Sequence, residues 1–298
     1  MDWLAFSLIA RIFWAGDNIV DKLLIGKYIK NPYVLTLLGG IAPLIISVII
    51  FLFYKLEWIG LVPTTVILLA GIIQIIAVFA FYKALAKEEV SRVIPLFQLT
   101  PVFVLILSAF FLKENLTINQ FIGFILILLG GFFIGLKRIE GIFKLREAFW
   151  WMILSSSIYA IQAIIIKPLY VNYSYLNLTF YHGIGIFIPT FGLLTFSSKS
   201  RNSFTREFSN LNIKGWLIVG LAAIFIAGAY LSGLWAFRTG SVSLISVLRG
   251  FQSIFVFIFS LTLSIWLPKI LKEELTSGVL LTKVIAISLM LAGLFLIA

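Results

Sequence analysis

The feature that most constrains this chain is a series of long apolar segments separated by short polar turns. A transmembrane helix needs about 20 predominantly apolar residues. Ten segments have about that length, at residues 3–24, 33–54, 63–85, 91–112, 118–136, 148–166, 176–196, 215–236, 243–267 and 279–298. With 61% hydrophobic and only 12% charged residues, the 298-residue chain carries more apolar surface than an aqueous domain can bury. We therefore predict an all-α, multi-pass membrane protein of ten transmembrane helices.

The second half of the sequence repeats the plan of the first. The turn LKENLT at residues 112–117 is echoed by LKEELT at 271–276, and a glycine-containing apolar segment follows each turn. Each repeat holds five segments, and because five is odd the second repeat must enter the bilayer from the opposite side. We predict two inverted five-helix repeats, at residues 1–140 and 147–298.

The net charge of +11 comes from basic residues in the gaps between apolar segments, not from a basic patch. Most of these residues follow the first, third, fifth, seventh and ninth segments, and basic loops are retained in the cytoplasm. We predict that these gaps are cytoplasmic and that the protein lies in the plasma membrane. A nucleic-acid partner is not predicted.

Two runs carry a resemblance to a known family: WAGDNIVDK at 14–22, and ALAKEEVSRVIPLFQLTPVFVLILSAFFLKENLTINQFIGFILILLGG at 84–131. They resemble the ten-helix EamA-type members of the drug/metabolite transporter superfamily, which pair two EamA domains. The first repeat carries the family's Trp turn and Lys, the prolines of the fourth helix, the Lys-Glu turn and the Gly-rich fifth helix. The second repeat keeps the turn and the Gly-containing helix but lacks the prolines.

The resemblance implies a secondary transporter of small polar or amphipathic metabolites, with amino acids leading and export the favoured direction. A proton-coupled multidrug or cationic-compound antiporter and a carrier of a lipid-linked or nucleotide-linked sugar stay open as alternatives. The implied partners are a small-molecule substrate, the lipid bilayer and, in a coupled carrier, a proton or counter-ion. A monomer is sufficient for such a carrier, and no cofactor is implied. We do not predict an enzyme, because the chain lacks HExxH, G-x-S-x-G and P-loop motifs, and it has no Cys for a thiolate metal site.

Ionisable side chains inside a span cost about 3 kcal/mol each on insertion scales, so they are functional candidates. Asp17, Asp21 and Lys22 share one face of the first segment. The carboxylates could couple transport to a proton or serve only to neutralise Lys22. Lys167 matches Lys22 in the second repeat, and both lysines could also reach the interface. We assign a coupling or charge-pairing role to these four residues, and note Arg11 in the same segment.

Arg249 lies about two turns into the ninth segment, where reaching the interface would be strained. We expect it to face a central cavity and to hold an anionic group of the substrate or to pair with Asp17. Polar and aromatic residues of other segments complete the predicted substrate site, although they could instead hydrogen-bond or anchor helices. They are Trp14, Asn18, Gln74, Gln98, Tyr159, Gln162, Tyr230 and Gln252.

Three further features receive structural or gating roles. Pro95 and Pro101 remove backbone donors and bend the fourth segment, so we assign them to gating. We interpret the single His182 as a hydrogen-bonded structural residue in preference to a proton relay. Small residues such as Gly123 and Gly293 predict close contact between the fifth and tenth segments.

Overall fold

A computed structural model of the chain describes residues 2–29, 31–85, 87, 93–135, 146–266 and 277–298. Every regular element within these ranges is helical, as predicted. The first half contains α1 (Asp2–Lys27), α2 (Pro32–Phe53), α3 (Leu61–Leu85), α4 (Leu99–Leu107) and α5 (Ile118–Gly135). The second half contains α6 (Arg146–Asn172), α7 (Tyr175–Phe196), α8 (Ser198–Ser209), α9 (Ile213–Thr239), α10 (Val242–Val247), α11 (Gly250–Trp266) and α12 (Ser277–Ile297).

Seven helical stretches in the described ranges are long and apolar enough to cross a membrane. Three shorter apolar helices, Leu96–Leu112, Ile118–Phe133 and Leu281–Ile297, occupy the positions of the fourth, fifth and tenth predicted segments. The outer surface carries large apolar side chains such as Phe53 and Phe196, which are exposed, whereas Asp17 is buried. This is the distribution expected of a multi-pass protein in lipid, while the number of ten crossings stays a prediction.

The fourth and ninth segments are interrupted, where continuous helices were predicted. The fourth begins with a 3₁₀ turn at Ile94–Gln98, continues as α4 and ends in a π turn at Ser108–Leu112. The ninth breaks between α10 and α11, where Arg249 donates its N–H to the Ser246 carbonyl at 3.1 Å and accepts from the Gln252 N–H at 3.1 Å. Irregular backbone at membrane depth is tolerated where it is buried in protein or lines a cavity.

The polar stretch after the seventh segment, predicted as a gap, contains the helix α8. The Ser197 side chain accepts a hydrogen bond from the Ser200 N–H at 3.3 Å and so caps its first turn. Phe204 and Phe208 stack with ring centroids 4.2 Å apart, and Phe208 packs on Trp216 of α9. Basic side chains with an apolar pair at a spacing of four make α8 an amphipathic helix suited to the membrane interface.

Helices of the two halves pack against each other reciprocally. The first helix of each half packs against the third apolar helix of the other half. Thus α1 packs on α9, and α6 packs on α3. The second helices, α2 and α7, pack together, as do the last helices, α5 and α12. Such exchange of partners is what a twofold relation between equivalent units produces, and it favours the predicted repeat; the inverted orientation stays a prediction.

Glycines bring two of these helix pairs into backbone contact. A side chain at Gly123 of α5 would lie 2.7 Å from the Gly293 carbonyl of α12, which confirms the predicted small-residue contact. A side chain at Gly71 of α3 would lie 2.6 Å from the His182 carbonyl of α7. The second contact brings the polar residues of α7 close to those of α3.

Candidate functional site

A cavity of about 210 Å³ lies between the two halves of the protein. Its wall is formed by α1, α2, α3, α6, α7, α9 and α11, together with the breaks in the fourth and ninth segments. Most of the residues predicted for substrate binding or coupling line it: Trp14, Asp17, Asn18, Asp21, Gln74, Tyr159, Gln162, Tyr230, Arg249 and Gln252.

One end of the cavity is basic. Arg249, in the break between α10 and α11, holds its guanidinium carbon 5.4 Å from the ring centroid of Phe97 and 5.3 Å from that of Tyr159. Arg11 of α1 lines the same cavity, and α1 packs against α11, which begins at the residue after Arg249. The Nε atoms of both arginines are buried without a hydrogen-bond partner. Arg11 was absent from the predicted substrate set, although its position inside a span was a signal.

The other end of the cavity is acidic. Asp17 and Asp21 lie one turn apart on α1, and Tyr82 of α3 donates its hydroxyl to Asp21 Oδ2 at 3.3 Å. Asp17 is 5% exposed, and its Oδ1 is buried without a partner, as is Asn18 Nδ2. Neutralisation of this pair by Lys22 was a prediction, and that side chain lies outside the described part of the structure. The described residues include no group of three His, Cys, Asp or Glu side chains placed to hold a metal ion.

A hydrogen-bonded chain of neutral polar groups also lines the cavity. His182 of α7 shares a hydrogen bond between Nδ1 and the Tyr230 hydroxyl at 2.7 Å, and another between Nε2 and Gln162 Nε2 at 3.0 Å. Gln162 of α6 also donates from Nε2 to Gln74 Oε1 at 2.5 Å. The interpretation of His182 as a hydrogen-bonded residue is confirmed, and in addition its side chain lines the cavity.

Several predicted residues lie away from the cavity. Gln98 is buried and packs beside Gly131 of α5. Lys167 donates from Nζ to the Phe237 and Gly240 carbonyls, both at 2.6 Å, and so caps the C-terminal end of α9. Pro101 is buried in α4 and does not line the cavity. The side chain of Pro95 lies outside the described part of the structure.

Comparison with known proteins agrees with the resemblance seen in the sequence. Residues 1–136 match the sequence profile of the EamA-like transporter family. An uncharacterized protein of Methanocaldococcus jannaschii is 30% identical over 132 residues, which cover 43% of this chain and 91% of that protein. The chain belongs to the EamA-like transporter family. It is therefore a multi-pass membrane transporter of the drug/metabolite transporter superfamily, for which the plasma membrane is the usual location.

A solved crystal structure has the same fold as this EamA-like transporter. The two align with a TM-score of 0.70 over 98% of this chain and 96% of the other, at 15% sequence identity. Similarity at this level of identity concerns the fold alone.

A carboxylate joins the two halves of the transporter outside the cavity. Glu114, after the fourth segment, accepts hydrogen bonds from the Val242 N–H at 2.7 Å and the Ser243 N–H at 3.2 Å. The hydroxyls of Ser241 and Ser243 also donate to it, at 3.0 and 2.9 Å. Ser243 in turn shares a 2.6 Å hydrogen bond with Ser108. Glu114 therefore caps α10 from the opposite half of the molecule.

Proposed function

We propose that this transporter is a secondary carrier that binds a small polar or amphipathic metabolite in the central cavity and moves it by alternating access. The observation that carries the proposal is the convergence on one cavity of ionic groups from both halves, of which Arg11 and Asp17 are buried and Arg249 is half-buried. Charged groups in a membrane interior are costly and are usually paired or functional. Arg11, Asp17 and Arg249 have no ion pair among the described residues, which supports a role in binding a solute.

The size of the cavity supports a small solute. Pockets for drug-sized ligands measure roughly 300–1,000 Å³, and this cavity measures about 210 Å³. This volume suits amino acids and related compounds better than a nucleotide-linked or lipid-linked sugar. The family resemblance further supports export as the direction of transport.

The broken helices supply a plausible way to change access. The 3₁₀ turn at Ile94–Gln98 and the break at Arg249 both lie against the cavity, through Phe97 and Arg249 themselves. Backbone that is not held in a continuous helix can change its dihedral angles at lower cost than a regular helix. We infer that these two breaks move when one half rocks against the other, with Pro95 and Pro101 as gating residues.

Transport should depend on Arg249. Proteoliposomes are loaded with a defined mixture of amino acids and small organic acids, and the loss of each compound is followed by mass spectrometry. We expect the unmodified transporter to release at least one compound, and Arg249→Ala to reduce that release to the level of empty liposomes, because the substrate loses its buried cationic partner.

A matched control separates binding from folding. Arg238 is exposed at the end of α9 and packs on the ring of Trp235 at 5.7 Å, outside the cavity. Arg238→Ala should insert and transport normally. Release by inserted Arg249→Ala at the unmodified rate would contradict the proposed site.

The acidic end of the cavity favours a second candidate, proton-coupled antiport of a cationic compound. Its observation is the pair formed by the buried Asp17 and the half-buried Asp21, which could exchange a proton for a cation. In that case an imposed pH gradient should drive uptake of a cationic dye, and Asp17→Asn should abolish the uptake. Uptake that is independent of the gradient in the unmodified protein would exclude this candidate.

A further inference from the structure

The cavity carries opposite charges at two positions of the same helix. Arg11 and Asp17 are six residues apart on α1, which corresponds to about 9 Å along the helix axis. Arg249 lines the same cavity directly before α11, which packs against α1, and Asp21 lies about one turn from Asp17 on α1. The two ends are therefore separate binding regions within one cavity, here called the basic pole (Arg11, Arg249) and the acidic pole (Asp17, Asp21).

The poles do not neutralise each other. The described residues show no ion pair between any arginine and any carboxylate of the cavity. Arg11 is only 7% exposed, and its Nε, like Arg249 Nε and Asp17 Oδ1, is buried without a partner. A buried charge without a partner is strongly destabilising, and two neighbouring guanidinium groups repel each other. Both poles would gain from a ligand that carries the complementary charge.

We propose that the substrate is a zwitterion, with its carboxylate bound between Arg11 and Arg249 and its ammonium group bound at Asp17. This assignment rests on the proposed carrier function and specifies the solute of that site. Arginine is suited to the basic pole because its planar guanidinium donates two parallel hydrogen bonds to a carboxylate. The aspartate at the acidic pole accepts from the ammonium N–H groups.

The wall between the poles fits the body of such a solute. Trp14 lies three residues from both Arg11 and Asp17 on α1 and lines the cavity between them. Phe97 and Tyr159 lie against the guanidinium of Arg249. These rings offer apolar contact to a carbon skeleton, while Gln74 and Gln162 supply neutral polar groups.

Compounds that differ only in charge test the two poles separately. The probes are phenylalanine, its amide, which lacks the carboxylate, and 3-phenylpropionate, which lacks the ammonium group; leucine, leucinamide and 4-methylpentanoate form a second set. Dissociation constants are measured with purified transporter in detergent by isothermal titration calorimetry. We expect at least one of the two amino acids to bind about tenfold or more tightly than both of its analogues, as expected from one charged hydrogen-bonding partner.

Substitutions at each pole should change the preference in opposite directions. Arg249→Gln should weaken binding of the two compounds that carry a carboxylate, the preferred amino acid and its analogue without the ammonium group, by about tenfold or more. The dissociation constant of the amide should not change. Asp17→Asn should weaken binding of the amino acid and the amide, and leave the acid unchanged. A merely structural role would weaken all three compounds alike.

An ion pair whose two residues do not line the cavity supplies matched controls. Lys87 and Glu147 form an exposed pair at 3.1 Å, so Lys87→Gln and Glu147→Gln remove the same charges without touching the poles. Both controls should leave all dissociation constants unchanged. The proposal is overturned if neither amino acid binds, if neither binds more tightly than its analogues, or if both pole variants weaken the three compounds equally. If one of these binding results is obtained and the liposome assay shows release of a neutral or singly charged metabolite, the zwitterionic substrate is refuted and the carrier function is retained.

Discussion

His182 is the centre of a hydrogen-bonded chain that joins four helices. Its two ring nitrogens contact Tyr230 of α9 and Gln162 of α6, and Gln162 continues the chain to Gln74 of α3. Because each amide is held by a neighbour, the orientation of its oxygen and nitrogen toward the cavity is determined before a solute arrives. Such preorganisation reduces the entropy lost on binding.

Replacing His182 by Phe should both destabilise the protein and weaken binding. The substitution keeps an aromatic ring but leaves the Tyr230 hydroxyl and one hydrogen-bonding position of Gln162 unsatisfied, which costs about 1–3 kcal/mol per buried group. We expect a lower thermal unfolding temperature in detergent and a larger dissociation constant for the transported solute. Tyr181→Phe, which removes a hydroxyl outside this chain on the neighbouring residue, is the control. Unaltered stability of His182→Phe would mean that the chain contributes little.

Single residues were predictable where chemistry alone marked them. Asp17 and Arg249 were predicted because an ionisable group inside an apolar span is rarely accidental. The nearness of Arg11 to Arg249 and of His182 to Tyr230 was not predictable, because these residues are far apart in sequence and meet only through helix packing. The helix-capping hydrogen bonds of Lys167 were not predictable either, because they depend on carbonyl groups of α9 that lie far from it in sequence. The charge-pairing role suggested by its position in the repeat stays a prediction.

At the level of elements, Glu114 connects the turn after the fourth segment to the start of α10. Its carboxylate accepts from two backbone N–H groups and two serine hydroxyls of the other half. Phe237, whose carbonyl is bound by Lys167 nearby, lines the cavity on this side. We infer that this cap keeps the cavity closed at one end, so that it must break when access changes.

Glu114→Gln should loosen this end. The amide keeps the shape of the side chain but loses the charge that strengthens its hydrogen bonds, worth about 1.5–3 kcal/mol for a bond to an ion. We expect a cysteine introduced by Phe237→Cys to react with a maleimide about tenfold faster in the Glu114→Gln background. Glu57→Gln, which neutralises an exposed carboxylate between α2 and α3, should leave the rate unchanged. Equal rates with and without Glu114 would show that the cap does not control access.

The elements themselves were predicted better than their interruptions. Segment ends matched the observed helices to within a few residues for most spans, because apolar length and turn residues mark them directly. The prolines gave a signal for the break in the fourth segment. The break at Arg249 has no proline, and the Gly250 backbone that follows it packs against α5. The helix α8 was missed because its apolar face has only two phenylalanines among many polar residues.

For the molecule as a whole, the charge distribution predicts an orientation in the membrane. The gap that contains α8 is rich in basic residues, whereas the gap after α2 carries Lys55 and Glu57. Basic gaps are retained in the cytoplasm. The natural chain has no Cys, so single introduced cysteines report their own accessibility without interference.

Labelling with a membrane-impermeant maleimide on intact cells tests this orientation. Lys55→Cys should be labelled from outside, and Asn202→Cys on α8 should be labelled only after the membrane is permeabilised, since both positions are exposed in the folded protein. The opposite pattern would reverse the orientation. Labelling of both positions from outside would contradict the predicted number of crossings between them.

The architecture as a whole was the most predictable level. Apolar length gave the all-helical class, and the recurrence of one turn motif gave the repeat, which the reciprocal packing of α1 with α9 and α6 with α3 favours. The cavity was predicted only as a set of candidate residues, because its shape depends on where helices of the two halves diverge.

The glycine contact between α5 and α12 has a consequence for how such carriers diversify. No described side chain of either helix lines the cavity. Their backbones touch at Gly123 and Gly293, and we infer that this contact can act as a pivot for the two halves. In that case selectivity and turnover would depend on different parts of the chain. New solutes can be acquired by exchanging wall residues while the pivot is left intact.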